Sequence, residues 1–255
     1  MKTLAIISDI HCGSVYGLTP PGWQVEKSPY YKMQCEAWKH YDRMVRKWTK
    51  PDILLVNGDC IEGRQERQGG AELMTNDRNV QAEIAEYCIA IWKPKNLIMT
   101  FGSDYHTAGQ AEDFEHNIAR NLGGKIGGNM FFSCEGLTFN ARHKVGTSTI
   151  FHGRATALLK ELMWSLIKEA QDGWPKVDVI IRSHAHYNMW IEQPGKVAFI
   201  TPSLQLARGR YGSRQLSGNV HWGAMRLTLD KGQIVGRDIV CHNLRGNKPR
   251  IIRIK

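Results

Sequence analysis

At 255 residues, 42% hydrophobic and 23% charged with 25 glycines, the chain has the composition of a folded globular protein and not of a disordered or fibrous one. Its length suits a single large domain over 1–255. A formal charge of +10 and six cysteines (12, 35, 60, 88, 134 and 241) without a Cys-x-x-Cys pair suit a polyanion-attracting protein with reduced thiols in the cytoplasm, and argue against a disulfide framework or a zinc knuckle.

The first predicted element is Lys2 to Ser8, a short aliphatic and β-branched run of the kind that forms a strand covered on both faces. It is too short, and ends too soon in Asp9, to be the apolar region of a signal peptide. No other segment approaches the roughly 20 apolar residues of a membrane helix. After a Gly/Pro-rich loop over 13–29, residues 30–48 place Met33, Ala37, Tyr41, Met44, Val45 and Trp48 at helical spacing. Residues 51–59 repeat the opening pattern, an apolar strand closing on Asn57, Gly58 and Asp59. Asn76 or Asp77 is a candidate cap for a helix over roughly 77–92 that the Pro94 region ends. A third strand with a polar end follows in 95–106, then a helix over about 111–122 stopped by Gly123 and Gly124. Strand and helix in alternation imply parallel pairing with right-handed crossovers.

The rhythm changes at 129–143, two short strands joined at Glu135 and Gly136 as a hairpin. A helix from Ala155 to about Ala170 comes next, then buried strands in 176–186 and 196–203. No linker, internal repeat or low-complexity stretch interrupts the chain. Basic residues gather toward the C-terminus in Arg208, Arg210, Arg214, Arg226, Arg237, Arg245, Lys248, Arg250, Arg253 and Lys255, within a basic strand region of about 225–255. The alternation of apolar and basic side chains over 245–255 reads either as a surface for nucleic acid or as a soluble edge strand.

Four apolar strands end in side chains that bind metals or move protons: Asp9 and His11, Asp59, Asp104 and His106, and His184 and His186. In open α/β sheets such ends converge on one crevice. Singly they mean little, since an Asp-x-His is commonly a capping turn and Asn57, Gly58 and Asp59 alone read as a turn. Together they would bury several ionisable groups without partners, a cost that a divalent cation removes. His184 and His186 lie on one side of an extended segment, which suits chelation. Mixed carboxylate and imidazole donors suit Mn, Fe, Zn, Co or Ni better than an all-thiolate zinc or an all-oxygen calcium site.

The ordered set Asp9-x-His11, Gly58-Asp59, Gly102-Ser103-Asp104-Tyr105-His106, a histidine after the hairpin, and Ser183-His184-Ala185-His186 resembles the calcineurin-like metallophosphoesterase superfamily over residues 1 to about 205. The resemblance implies a layered α/β fold, two β-sheets packed together and flanked by helices. It also implies two divalent metal ions, Mn being the first choice and Ni, Co, Zn or Fe the alternatives. It makes Asp9, His11 and His186 ligands of one metal, Asp59 the bridge, and His184 with an upstream histidine ligands of the second. That histidine is His143, at the end of the hairpin, in preference to His152 in its His-Gly setting. The family's Gly-Asn-His-Asp/Glu segment, in which Asn binds metal and His faces the substrate, departs here: the Asn is absent and two extra residues precede His106. The pattern is similar to a divergent branch among phage and prophage phosphoesterases with Gly-Thr-x-x-His. His106 is the candidate to protonate the leaving oxygen or hold the transition-state phosphoryl group, and either Asp104 or His106 is a candidate for the missing ligand. Arg154, near the start of a helix, is a candidate phosphate contact.

The implied activity is phosphoester hydrolysis through a metal-bridging hydroxide. The basic excess, with Trp and Tyr interspersed through 187–222, favours nucleic acid or nucleotides as substrate and hence a phosphodiesterase or nuclease, although core is the commoner fate of such aromatics. The alternatives are a phosphomonoesterase or phosphoprotein phosphatase, and a catalytically impaired nucleic-acid-binding or assembly protein on the same scaffold. No membrane association is expected, protein partners are unspecified, and the expected location is the cytoplasm, that of the host for a phage-encoded chain.

Overall fold

The structure, a computed structural model, describes residues 1–48, 50–109, 112–207, 209, 220–242 and 244. Arg208, Arg210, Arg214, Arg245, Lys248, Arg250, Arg253 and Lys255, and the edge strand expected over 245–255, lie outside the described residues.

In chain order the elements are β1 (Lys2–Ile7), α1 (Tyr31–Trp48), β2 (Ile53–Asn57), α2 (Arg78–Ala90), β3 (Leu97–Thr100) and the one-turn α3 (Asp104–Thr107). A two-residue ladder of β4 (Ala108–Gly109) and β5 (Glu112–Asp113) leads into α4 (Phe114–Asn121), β6 (Lys125–Gly127), β7 (Met130–Cys134), β8 (Leu137–Ala141) and α5 (Arg154–Gln171). The chain continues through β9 (Val179–Arg182), β10 (Met189–Gln193), β11 (Lys196–Ile200), β12 (Trp222–Asp230) and β13 (Gln233–His242).

Six strands form one sheet in the order β13-β12-β1-β2-β3-β6, and five form a second in the order β10-β11-β9-β8-β7. The strands β1, β2, β3 and β6 run parallel, with α1, α2 and α4 as their connections, as the alternation in the sequence predicts. Side-chain alternation then sorts the core. Leu4, Ile6, Ile53, Leu55 and Ile98 of the first sheet meet Leu137, Phe139, Val179, Ile181 and Phe199 of the second. Ala5, Ile7, Leu54, Val56 and Met99 turn the other way, onto Tyr41, Met44, Ile84, Cys88 and Ile118 of the helices. On the far side, Ile180, Ala198 and Ile200 pack on Leu158 and Leu162 of α5. Covered on both faces, β2 and β3 are buried at every position, which is why they read as unbroken apolar runs.

Local signals set the boundaries. Asp77 caps α2 by accepting from the Asn79 N–H. Asp113 caps α4 by accepting from the Glu115 and His116 N–H groups, so the helix begins at Phe114 and not near 111. Glu135 (φ 52°) and Gly136 (φ 82°) turn the hairpin through the left-handed region that a two-residue loop demands. All six cysteines are free thiols. The aromatics of 187–222 that suggested stacking rings are core where described: Tyr187 and Trp222 are buried and Trp190 stacks on Phe199 at 4.9 Å. Among the described residues no helix is long and apolar enough to cross a membrane.

Candidate metal centre

The carboxyl ends of β1, β2, β3, β8 and β9 open on one crevice, the usual place for a ligand in such a sheet. Beyond their last strand residues β1 and β2 stay hydrogen-bonded, with Asp9 N–H donating to Gly58 O (3.0 Å), His11 N–H to Asp59 O (3.0 Å) and Cys12 N–H to Cys60 O (2.9 Å). The two loops therefore leave the sheet as a locked pair. Within the loops, Asp9 (φ 49°), His11 (φ 50°), Asp59 (φ 53°), His184 (φ 69°) and His186 (φ 55°) all take left-handed backbone. Each such residue costs about 1–2 kcal/mol, and strain repeated at these five positions points to a site that uses it. Gly58 and Gly102 permit the close approach: a Cβ on the first would strike the His143 ring, and one on the second the Asp59 backbone and carboxylate. Beneath them, a buried chain of hydrogen bonds from Ser8 through Thr201, Ser183 and Asn57 to Thr100, 2.6–2.8 Å long, joins the two sheets.

Two donor sets result, Asp9 with His11 and His186, and Asp59 with His143 and His184, each bringing its donor atoms within 4.8 Å of one another. His186 Nε2 lies 3.1 Å from Asp9 Oδ1 and His143 Nε2 lies 2.9 Å from Asp59 Oδ2. His11 Nε2 is 3.9 Å from the same Asp59 oxygen, so Asp59 stands between the sets. Two rings are oriented from behind. His143 Nδ1 donates to Asn57 O (2.7 Å) and His11 Nδ1 to Glu62 Oε2 (2.8 Å), which turns both Nε2 atoms toward the crevice.

Electrostatics follows the geometry. Burial opposes ionisation of Asp9 and Asp59, yet His186 beside the one and His143 beside the other hold both carboxyls below the usual range. Burial equally opposes a proton on His143, but the Asp59 carboxylate outweighs it and lifts the imidazole to about 10. Partial burial, then the neighbouring His143, lowers His184 to about 4. His11 Nε2 is buried without a hydrogen-bond partner. A divalent cation among these donors would supply the positive charge that a proton on His143 supplies to Asp59, and would give His11 Nε2 the partner it lacks. The donor sets fit such ions.

A third group, His11, Glu62 and His106, is also within ligating range, but hydrogen bonds already occupy it. Glu62 Oε2 takes the His11 ring, Glu62 Oε1 accepts from Gln65 Nε2 (2.8 Å), and His106 Nδ1 donates to Glu62 O (2.8 Å). This group orients rings. The His106 ring stands edge-on to His11 at 4.6 Å.

Of the residues singled out in the sequence, Asp9, His11, Asp59, His143, His184 and His186 come together, with His106 on their border. His152 is exposed in the loop before α5 and joins no donor set. Neither candidate for the missing Asn falls in the two donor sets: Asp104 is exposed at the start of α3, and His106 groups with His11 and Glu62. Ser103 borders the second set, its N–H donating to Asp59 Oδ1 (2.6 Å) and its Oγ 3.2 Å from Asp59 Oδ2, 3.2 Å from His184 Nδ1 and 3.4 Å from His143 Nε2. Short and neutral, it drew no notice in the sequence. Arg154 lies outside the donor sets, its guanidinium over Tyr187 at 4.8 Å and Phe151 at 5.3 Å.

Two carboxylates escaped sequence reasoning. Glu62 carried a faint signal, an acid three residues past Asp59 in the same loop. Glu115 carried none, because it reaches in from α4. Its Oε1 accepts from Cys60 N–H (2.8 Å) and its Oε2 from Gly102 N–H (2.5 Å), tying together the loops that carry Asp59 and Ser103. Burial, then the nearby Asp59, raises its carboxyl to about 7.

No protein-family model and no curated protein matches the chain. Solved structures do. An archaeal phosphodiesterase is 12% identical, with 94% of this chain and 99% of that one covered at a TM-score of 0.51. Vps29 of Entamoeba histolytica, solved with zinc, is 12% identical, with 95% and 99% covered at a TM-score of 0.47. The first likeness shows the fold, a layered arrangement of two sheets flanked by helices; the second adds nothing to it.

Proposed function

We propose that the chain, as a single domain, is a metal-dependent phosphoester hydrolase that takes two divalent cations, Mn first with Ni, Co, Zn or Fe as alternatives, and cleaves phosphodiesters of nucleic acid or nucleotides. The observation that carries this reading is the convergence of two carboxylates and four imidazoles at strand ends, five of the six in left-handed backbone. Asp9, His11 and His186 would hold one cation, His143 and His184 the other, with Asp59 shared. Cations at such donors polarise phosphoryl oxygens and make water nucleophilic near neutral pH.

The chain's own side chains do the rest. With Nδ1 committed to the Glu62 carbonyl, His106 has Nε2 to pass a proton to the leaving oxygen. Tyr105, 37% exposed and edge-on to His106 at 4.9 Å, offers a ring for a base. Arg154, half-buried with its guanidinium over Tyr187, would meet a phosphate, and the net charge of +10 supports a polyanionic substrate.

Purified protein with Mn is expected to hydrolyse bis(p-nitrophenyl) phosphate, and Asp59→Asn or His184→Ala to lower turnover by about 10³-fold or more. Inactivity of the wild type across Mn, Ni, Co and Zn overturns the enzymatic reading and favours the binding scaffold. A comparison of single-stranded DNA, duplex DNA, RNA, cyclic nucleotides and a phosphopeptide tests the substrate class. Preference for the phosphopeptide, or DNA binding without salt dependence, removes the nucleic-acid part.

A further inference from the structure

We infer that the Ser103 hydroxyl is a direct ligand of the second cation, so that the two metal sites are unequal; this rests on the two-cation reading above. Ligands held 2.0–2.2 Å from one ion at roughly 90–110° lie about 2.9–3.5 Å apart. Ser103 Oγ keeps that spacing to all three members of the second donor set. His143 Nε2 to Asp59 Oδ2 is 2.9 Å, and Ser103 Oγ is 3.2 Å from Asp59 Oδ2, 3.2 Å from His184 Nδ1 and 3.4 Å from His143 Nε2. The hydroxyl is not there by drift. Gly102 lacks the Cβ that would strike Asp59, Glu115 Oε2 fixes Gly102 N–H at 2.5 Å, and the Ser103 N–H is anchored on Asp59 Oδ1 at 2.6 Å.

The chemistry of the two sets differs. The first has a carboxylate of its own, Asp9, besides the shared Asp59; the second has only the shared carboxylate and completes its shell with a neutral hydroxyl. Divalent cations therefore bind in two steps, tight at Asp9, His11 and His186 and weaker at Asp59, His143, His184 and Ser103.

Calorimetric titration with Mn(II) chloride alone tests this. Wild type is expected to show two steps. Ser103→Ala, which keeps the backbone bond to Asp59, is expected to weaken the second step about tenfold or more and leave the first unchanged; Ser103→Asn is expected to strengthen it. Ser103→Cys loaded with Co(II) gives the direct readout, a thiolate-to-cobalt charge-transfer absorption absent from wild type. Two bound cations with an unchanged second step in Ser103→Ala, or no such absorption from Ser103→Cys, overturn the ligand assignment and leave the two-cation reading standing. A wild type that binds one cation or none overturns both.

Discussion

The two ends of the parallel strands β1, β2 and β3 treat carboxylates in opposite ways. At the amino end Asp52 is fully answered: it accepts from Thr3 N–H (2.9 Å), Thr3 Oγ1 (3.1 Å) and Lys95 Nζ (2.7 Å), with Lys2 Nζ at 3.6 Å. At the carboxyl end the ion-pair partners of Asp9 and Asp59 among the described residues are imidazoles, not lysines or arginines, and five of the six grouped residues sit in left-handed backbone. One sheet thus spends permanent cations on its acids where only stability is served. It withholds them at the candidate metal centre. Substitutions at the carboxyl end should strike activity, those at the amino end stability, and each prediction below tries that division.

Beyond the donor residues themselves, the largest expected effect is at His106. His106→Ala should lower turnover of a dialkyl phosphate by about 10²–10⁴-fold, the range for a general acid, and that of bis(p-nitrophenyl) phosphate much less, because nitrophenolate leaves without a proton. Urea unfolding should not change. Equal losses on the two substrates would remove His106 from the acid role, and a large loss of stability would blur the division between the ends.

Glu115 sharpens the comparison because it serves both purposes. Its carboxylate is the acceptor for the N–H groups of Cys60 and Gly102, and Glu115→Ala leaves both unanswered in a buried setting at about 1–3 kcal/mol each. The expected outcome is a fall of about 2–5 kcal/mol in unfolding free energy together with weaker metal binding, since the loops bearing Asp59 and Ser103 lose their tie. A destabilised variant that binds Mn as wild type does would show that α4 supports the fold alone.

How much of this was legible follows from what each feature depends on. The buried strands and their polar ends were readable because β1, β2 and β3 are apolar along their covered lengths up to the buried Asn57 and Thr100 that close β2 and β3, and then switch to Asp9, Asp59 and the 102–106 loop. The hairpin turn at Glu135 and Gly136 was readable from its residues. The short β6, part-exposed and ending in Gly127, carries no such signal and is paired only because β3 lies beside it. In the site, histidines and aspartates announce themselves by type, whereas Ser103, Glu62 and Glu115 act by position. Their roles come from contacts between chain segments up to 81 residues apart, which no local pattern records. Whether the aromatics of 187–222 are core or stacking rings was undecided for the same reason, since periodicity does not say that Trp222 is buried with its indole donating a 2.9 Å hydrogen bond to Leu204 O.

The smallest expected effect belongs to Asp52, and its pH dependence gives the comparison a second axis. Burial would raise this carboxyl, but hydrogen bonds from Lys95 and from Thr3 outweigh it and hold it below the ordinary 3.8. A depressed carboxyl contributes stability that is fully present above the unfolded value and is lost as pH falls through the folded one. Lys95 is 66% exposed, so its ion pair adds little, and the Thr3 hydrogen bonds set the scale. Asp52→Ala should cost about 1–2 kcal/mol at pH 7, leave Mn-dependent turnover untouched, and approach wild-type stability as the solution is acidified below pH 3.8. A gap that stays constant on acidification would mean that Asp52 contributes packing and not charge. A loss of turnover at neutral pH would mean that the two ends of the sheet are coupled, and that the division drawn between them is too clean.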